Sequence, residues 1–542
     1  NLVIGLFIAL VVLLVTFGSL LAAGLPLLTA LFGLGVSMTG IYAASSFVDL
    51  NSTAPLLAIL IALAVGIDYS LFIINRHRRN LLEGRGVADS IRLASGTAGS
   101  AVFFAAATVI VALSGLSVVG IGFLSQMGLS AAFGVLIALL VSVTLTPALL
   151  GISGMAILGR RGRRRIGIQS PRGTRKPAER WVALVMRRPA VFTVAAVALL
   201  AVLALPVAGL RLGLPNDGTD PAATTQRQAY DLLGTGFGDG VNGPILVLAT
   251  GVSGAADVRS VDAALGGVSG VAHVLPSGVK GSDALFTVVP TTGPSDARTE
   301  TLVHALRDEA DLRLPSGVSV DVTGETAVQI DISQRLLDAL PIYLALIAGF
   351  AFLLLLVVFR SILIPLKAVA SFLLSLGAAL GATVAVYQWG FLGNVFGVDP
   401  AAPLLSFLPI LEVGVLFGLS MDYEMFLVSG MREQRARGAR SDDAIAVGFS
   451  HGAKVVAAAA LIMIGVFGNG AIAGSATIKP IAFALAIGVL VDAFAVRMTL
   501  VPAVMTLFGD AAWWLPRWLA RAVPDADIEG ASLERDRELI DA

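Results

Sequence analysis

Apolar residues run along this chain in blocks too long for the core of a globular fold. Eleven blocks fall at about residues 1–17, 20–46, 53–75, 98–120, 123–158, 188–209, 338–359, 364–390, 403–430, 449–474 and 479–508. Most match the roughly 20 residues that cross a bilayer as a helix. Between the sixth and seventh blocks the pattern changes. ILVLAT (245–250), VAHVLP (271–276), ALFTVVP (284–290) and VSVDVTG (318–324) read as strands, while DVRSVDAALGGV (257–268) and SDARTETLVHALRDEADL (295–312) read as helices. The order βαββαβ predicts a ferredoxin-like domain. The expected fold is a polytopic α-helical membrane protein with one α+β domain outside the bilayer.

The pattern also repeats. Phe17-Gly18-Ser19-Leu20 returns as Phe359-Arg360-Ser361-Ile362, and GIDYSLF (66–72) as LSMDYEMF (419–426). GTAGSAVFFAAATVIVAL (96–113) aligns with SHGAKVVAAAALIMIGVF (450–467), and TLTPALL (144–150) with TLVPAVM (499–505). Four blocks in one order make two homologous halves. The second half has a leading span and an outer domain before its five spans, whereas the first shows only five spans. The expectation is that an initial span and a first outer domain precede residue 1. The segments are then a first bundle (1–158), a connection (159–187), a span (188–209), the outer domain (210–337), a second bundle (338–508) and a tail (509–542).

Composition agrees with the pattern: 56% of the 542 residues are hydrophobic, 14% are charged, and mean hydropathy is +0.87. Net charge is zero, yet the cations are unevenly placed. Arg76, Arg78, Arg79, Arg85 and Arg92 follow the third block, eleven Lys and Arg crowd 159–188, and Arg432, Arg435, Arg437 and Arg440 follow the ninth. Lys/Arg-rich connections stay in the cytoplasm, which puts 210–337 on the extracytoplasmic side. A basic connection also suits nucleic acid or lipid; positive-inside topology accounts for all three clusters together. The chain has no cysteine, and its histidines (His77, His273, His304, His451) lack metal-ligand spacing. No GxxxxGK[ST] loop and no nucleophile elbow occur, so neither ATP nor enzyme chemistry has a foothold. Trp513, Trp514 and Trp518 suit an interfacial helix, and the final charged stretch reads as disordered.

Two aspartates interrupt apolar runs in matching contexts, Asp68-Tyr69 and Asp422-Tyr423. An ionisable group at the centre of a membrane helix costs roughly 2.5–3.5 kcal/mol on insertion scales. Asp422 lies ten residues before Arg432 and Asp68 eight before Arg76, so both sit at depth. A neighbouring tyrosine hydroxyl donates to a carboxylate and accepts from a carboxylic acid, and so serves both protonation states. The alternative is a static interhelical hydrogen bond. Phe72 and Phe426 lie four residues after each Asp, on the same face, where ordinary packing also suits them. Glu424 points elsewhere on its helix. Glu412 falls near the outer end of the ninth run, where water solvates it. Ser95, Thr97 and Ser100 open one late span of the first half, and His451 and Lys454 its counterpart, with Lys454 able to snorkel. Asp492 pairs with Arg497 within the last span, or Arg497 snorkels.

The halves, the outer domain and the motifs GIDYSLF and GLSMDYEMF resemble the resistance-nodulation-division (RND) superfamily, and within it the MmpL branch. The likeness covers essentially the whole chain, short of a first span and first periplasmic domain. It implies a proton-motive-force-driven exporter of lipids or other hydrophobic or amphiphilic molecules in the bacterial inner membrane, with a periplasmic porter domain. Asp68, Tyr69, Asp422 and Tyr423 are then the proton relay. Phe72 and Phe426 close its pocket, and Glu424 and Asp492 lie close by. Protons are the coupling ion, with no cofactor and no metal, and the assembly is a monomer or a trimer. The rival reading is a non-transporting lipid sensor or scaffold of the same fold, for which paired ionisable sites have no use.

Overall fold

The computed structural model describes residues 2–51, 54–164, 166, 177–214, 216–308, 312–398, 401–436, 438–473 and 477–522. The basic 167–176 stretch and the charged tail from 523 lie outside the described residues. The chain divides into two compact units, one of 1–208, 340–383 and 409–542, the other of 209–339 and 384–408.

The first unit is helical. It contains α1 (Leu2–Phe17), α2 (Leu20–Ala44), α3 (Ala54–Leu82), α4 (Val87–Gly115) and α5 (Gly122–Ser153). Short α6 (Gly159–Arg163) and α7 (Pro177–Arg187) lead to α8 (Pro189–Ala204). In the second unit β1 (Leu212–Gly213) and α9 (Thr225–Phe237) precede β2 (Ile245–Thr250), α10 (Ala255–Gly266), β3 (Val271–Lys280), β4 (Asp283–Pro290), α11 (Ala297–Arg307) and β5 (Ser319–Thr323). α12 (Glu325–Phe359) and α13 (Leu363–Thr383) follow, then α14 (Gly393–Phe396) and β6 (Leu404–Leu405). The first unit closes with α15 (Leu408–Ala436), α16 (Ser441–Ala473), α17 (Ile478–Leu490), a π-helical stretch (Val491–Leu500), α18 (Val501–Phe508) and α19 (Arg517–Ala522).

Among the described residues nine helices are long and apolar enough to cross a membrane. Ile4–Phe17 is shorter, and α15, outside that set, carries Glu412, Asp422 and Glu424 in its interior. Each of the eleven apolar blocks is helical over most of its described residues, the ninth opening with β6 before α15 begins. The helices overrun them: α4 starts at Val87 and α16 at Ser441, because a helix carries on into polar sequence that a hydropathy window leaves out. On α8 only Ala196 and Leu200 are buried, one turn apart, while Val191, Val194, Leu199 and Val202 are exposed. A helix apolar on every side with one packed stripe belongs in lipid. α3 and α15 are the reverse, with residues 61–74 and 408–425 buried throughout.

The halves are in register. α3 and α15 each have 29 residues, and each carries its aspartate at the fifteenth position. The offset of 354 also relates the starts of α4 and α16.

The second unit's main sheet has the order β3-β4-β2-β5, with every neighbouring pair antiparallel. With two helices crossing over between strands, this is the ferredoxin-like split βαβ arrangement. Alternation along β2 and β4 puts Ile245, Val247, Ala249, Ala284, Phe286 and Val288 on the helix-covered face, against Val261 and Leu302. A second sheet, unforeseen in the sequence, pairs β1 with β6 in parallel. Two-residue strands are too short to leave a pattern.

Candidate functional site

The relay residues lie where α3 and α15 meet. Asp68 is 3% exposed and Asp422 4%, and Tyr69 and Tyr423 are buried with them. Tyr423 Oη donates to Asp68 Oδ2 over 3.1 Å and also lies 3.1 Å from Met463 Sδ on α16. Each tyrosine was expected beside its own aspartate. Consecutive residues on a helix point in different directions, so neither serves its neighbour. Instead the second half's tyrosine serves the first half's aspartate. The reciprocal pair, Tyr69 with Asp422, is adjacent, but no hydrogen bond of ordinary geometry closes it: Tyr69 Oη and Asp422 Oδ1 lack partners, as does Asp68 Oδ1. A buried carboxylate oxygen left unpaired costs at least 1–3 kcal/mol, or about the worth of a good hydrogen bond twice over.

One turn on, the rings of Phe72 and Phe426 stack with centroids 3.4 Å apart and planes 8° from parallel. Beyond the stack, on the side of the basic helix ends, is a cavity of about 120 Å³. Its walls include Asn75, Arg76, Thr97, Glu433 and His451. Arg76 and Glu433 face each other at 3.6 Å. With these polar side chains in its walls, a cavity of this size can hold several waters, and the aromatic pair separates it from the aspartates. Lys454 bonds the Thr16 carbonyl at 2.9 Å from an exposed position.

Glu424 and Asp492 belong to a second cluster, which the sequence reading assembled only in part. Lys367 on α13 donates to Glu424 Oε1 over 2.6 Å, and Arg497 pairs with Glu424 Oε2. Arg497 Nε also reaches Asp492 Oδ2 at 3.1 Å, and its Nη2 reaches the Ser420 carbonyl at 2.7 Å. Ser420 and Ser375 donate to Asp492 Oδ1 over 2.9 and 3.4 Å. Arg497 does not snorkel; it is fully buried. It meets Asp492, five residues earlier, because Val491–Leu500 is π-helical, and i→i+5 bonding stacks residues five apart. Thr499 Oγ1, bonded to the Phe494 carbonyl at 3.0 Å, follows the same spacing. Two cations and two carboxylates balance, and every carboxylate oxygen has a donor. Such a network is costly to break, about 3–5 kcal/mol when one partner of a buried pair is removed.

The first half has hydroxyls instead. Aligning the repeats puts Ser70 at Glu424, Ser142 at Arg497 and Leu25 at Lys367. Ser70 Oγ lies 2.8 Å from Thr29 Oγ1, 3.3 Å from Ser142 Oγ and 3.2 Å from Thr146 Oγ1. Lys367 was missed. The signal was there, since a lysine in LIPLKAVASFLL answers a leucine in the other half. Glu412 was misplaced: far from being solvated, it is 1% exposed, and neither carboxylate oxygen has a partner.

A multi-pass helical bundle built as two halves, with paired Asp-Tyr motifs on its central helices and a ferredoxin-like domain between spans, is the architecture of RND-superfamily membrane transporters. The chain belongs to the MMPL family, whose model matches residues 1–192 and 250–526. It is 47% identical over 540 residues to membrane protein YdfJ of Bacillus subtilis, covering 98% of this chain and 73% of that one. It is 35% identical to the mycolic acid-containing lipids exporter MmpL11 of Mycolicibacterium smegmatis, covering 96% of this chain and 56% of that one. With the trehalose monomycolate exporter MmpL3 of Mycobacterium tuberculosis it shares 30% identity, over 96% of this chain and 59% of that one. The chain thus spans little more than half the length of these two mycobacterial relatives. A crystal structure of SecDF in its super-membrane-facing form has the same fold, with a TM-score of 0.54 at 14% identity over 93% of this chain and 61% of that one.

Proposed function

We propose that this chain is the proton-driven part of an exporter that moves lipids or similar amphiphiles, with Asp68, Tyr69, Asp422 and Tyr423 as its relay. The observation that carries this reading is the bond from Tyr423 on one repeat to Asp68 on the other. A proton arriving at Asp68 converts an acceptor into a donor. The Tyr423 hydroxyl must then reverse its role or turn to Asp422, so protonation changes how α3 and α15 hold each other. Phe72 and Phe426 keep water in the adjoining cavity from reaching the carboxylates until the helices shift.

The orientation follows from the basic helix ends. Arg76 and Arg78 close α3 while Arg432 and Arg435 close α15 at the same end, which the positive-inside rule puts in the cytoplasm. The ferredoxin-like unit is then extracytoplasmic. Lipid cargo is supported by the lipid export for which the relatives MmpL11 and MmpL3 are named.

The test is Asp422→Asn and Asp68→Asn, near-isosteric changes, in the full-length protein. Membrane levels should hold while proton-dependent export of trehalose monomycolate, the probe substrate, is lost along with proton uptake on a pH step. Proton uptake and export at the native level in both variants would sink the relay.

A further inference from the structure

Among the described residues, Glu412 is a buried carboxyl with neither oxygen partnered. It sits one turn inside the start of α15, 1% exposed, with no hydrogen bond to either carboxylate oxygen. The helices around α15 offer few titratable groups in their apolar interiors. Among the described residues these are Asp68 and Tyr69 on α3, Tyr343 on α12, Lys367 on α13, Asp492 and Arg497 on the π-helical stretch, His451 and Lys454 towards the basic end of α16, and Lys479 at the start of α17. Asp68 accepts from Tyr423, Tyr343 donates to the Ala112 carbonyl at 2.7 Å, and Lys367 is bound to Glu424. None of these groups bonds Glu412.

A structural role does not account for it. Glu412 makes no bond that could tie helices together. The register of α3 and α15 places Ala58 at the equivalent position, also fully buried. The fold therefore fills this position with a methyl group in one half and a carboxyl in the other. An ionised carboxylate left without a partner is costly in such surroundings.

Its place on the helix links it to the relay. Tyr423 comes eleven residues later, three full turns, so the two share a face about 16 Å apart at 1.5 Å per residue. Buried Leu416 and Leu419 lie between them on that side, so the interval is apolar.

We propose that Glu412 is a third proton-exchanging carboxyl of the relay, loading from the side of the bundle opposite the basic helix ends. It passes its proton towards Tyr423 and Asp68 when the helices part and water enters. The proposal rests on the relay reading above, and the experiment separates the two.

Infrared difference spectra of the full-length protein in phosphatidylethanolamine–phosphatidylglycerol vesicles, recorded across a pH step, report protonated carboxyls by their carbonyl stretch. Wild type should show a Glu412 band that shifts in D2O, and E412Q should lose it. Proton uptake on the same step should fall by about one per protein, and E412D should restore it. E412A, which copies the alanine of the other half, is the folding control: intact melting with lost uptake supports the proposal, and intact uptake overturns it. A Glu412 band that neither titrates nor exchanges also overturns it, as do identical spectra for wild type and E412Q. Where D422N still removes its own band in those cases, the relay stands without Glu412. If D422N changes nothing in the spectrum, the relay reading itself fails.

Discussion

The hydroxyl of Tyr423, in the second half of the chain, donates to Asp68, in the first, over 3.1 Å at a point where both side chains are buried. This bond joins the two repeats, and it depends on the protonation state of Asp68. Tyr423→Phe removes the donor with little change in volume. Stability should fall only modestly, since interhelical hydrogen bonds in membranes average about 0.6 kcal/mol. Transport should fall by about tenfold or more, the kinetic equivalent of the 1–3 kcal/mol for an unpaired buried carboxylate. Melting and proton-coupled export measured on the same preparation check the split. A variant that loses both in proportion would mark the bond as structural.

The cluster around Arg497 makes the opposite prediction. Glu424→Gln leaves Lys367 and Arg497 facing Asp492 alone, an uncompensated buried cation, and should cost about 3–5 kcal/mol. Adding Lys367→Met restores the balance of charge and should recover most of that loss. Thermal unfolding in detergent for the two singles and the double closes a mutant cycle. Additive losses would show that Lys367 and Glu424 do not act as a pair.

The Phe72–Phe426 stack lies between the carboxylates and the cavity lined by Arg76 and Glu433. Phe426→Ala opens that route, and vesicles carrying it should leak protons down an imposed gradient without cargo. Phe426→Leu, which keeps the bulk, should stay tight. Dye-reported internal pH distinguishes the two, and equal tightness would remove the stack from the proton path.

How much of this was legible follows from how cost is written in sequence. Asp68 and Asp422 stood out because a charge in an apolar run is expensive wherever it points. The repeat then paired them, and strand alternation was enough to order the α+β domain as βαββαβ. What stayed hidden depends on direction. That Tyr423 serves Asp68 rather than Asp422 is set by helix azimuth and by which helix packs opposite. The meeting of Asp492 and Arg497 depends on a π-helical stretch, which has no composition of its own. Lys367 went unread because its partner, Glu424, lies 57 residues away. Glu412 was given water because depth was judged along one helix, whereas its burial comes from the neighbours that surround α15.

The contact of α15 with α16 gives the last prediction. At Gly448 the helices approach so closely that a Cβ would stand 2.5 Å from Met431 Cα, with Gly430 beside it. The obstruction is backbone, which cannot rotate away as a side chain can. Gly448→Ala must therefore push the helices apart, and overpacking of this kind costs about 1–3 kcal/mol. The displaced surface includes the cavity wall, to which Gly448, Gly430 and His451 all contribute. The loss of stability should thus come with a more accessible cavity. Because the native chain has no cysteine, one placed at Ser429 is a clean reporter, and maleimide labelling of Ser429→Cys should be faster with Gly448→Ala than without. Unchanged labelling at reduced stability would mean that the strain is relieved elsewhere along α16, leaving the cavity shut.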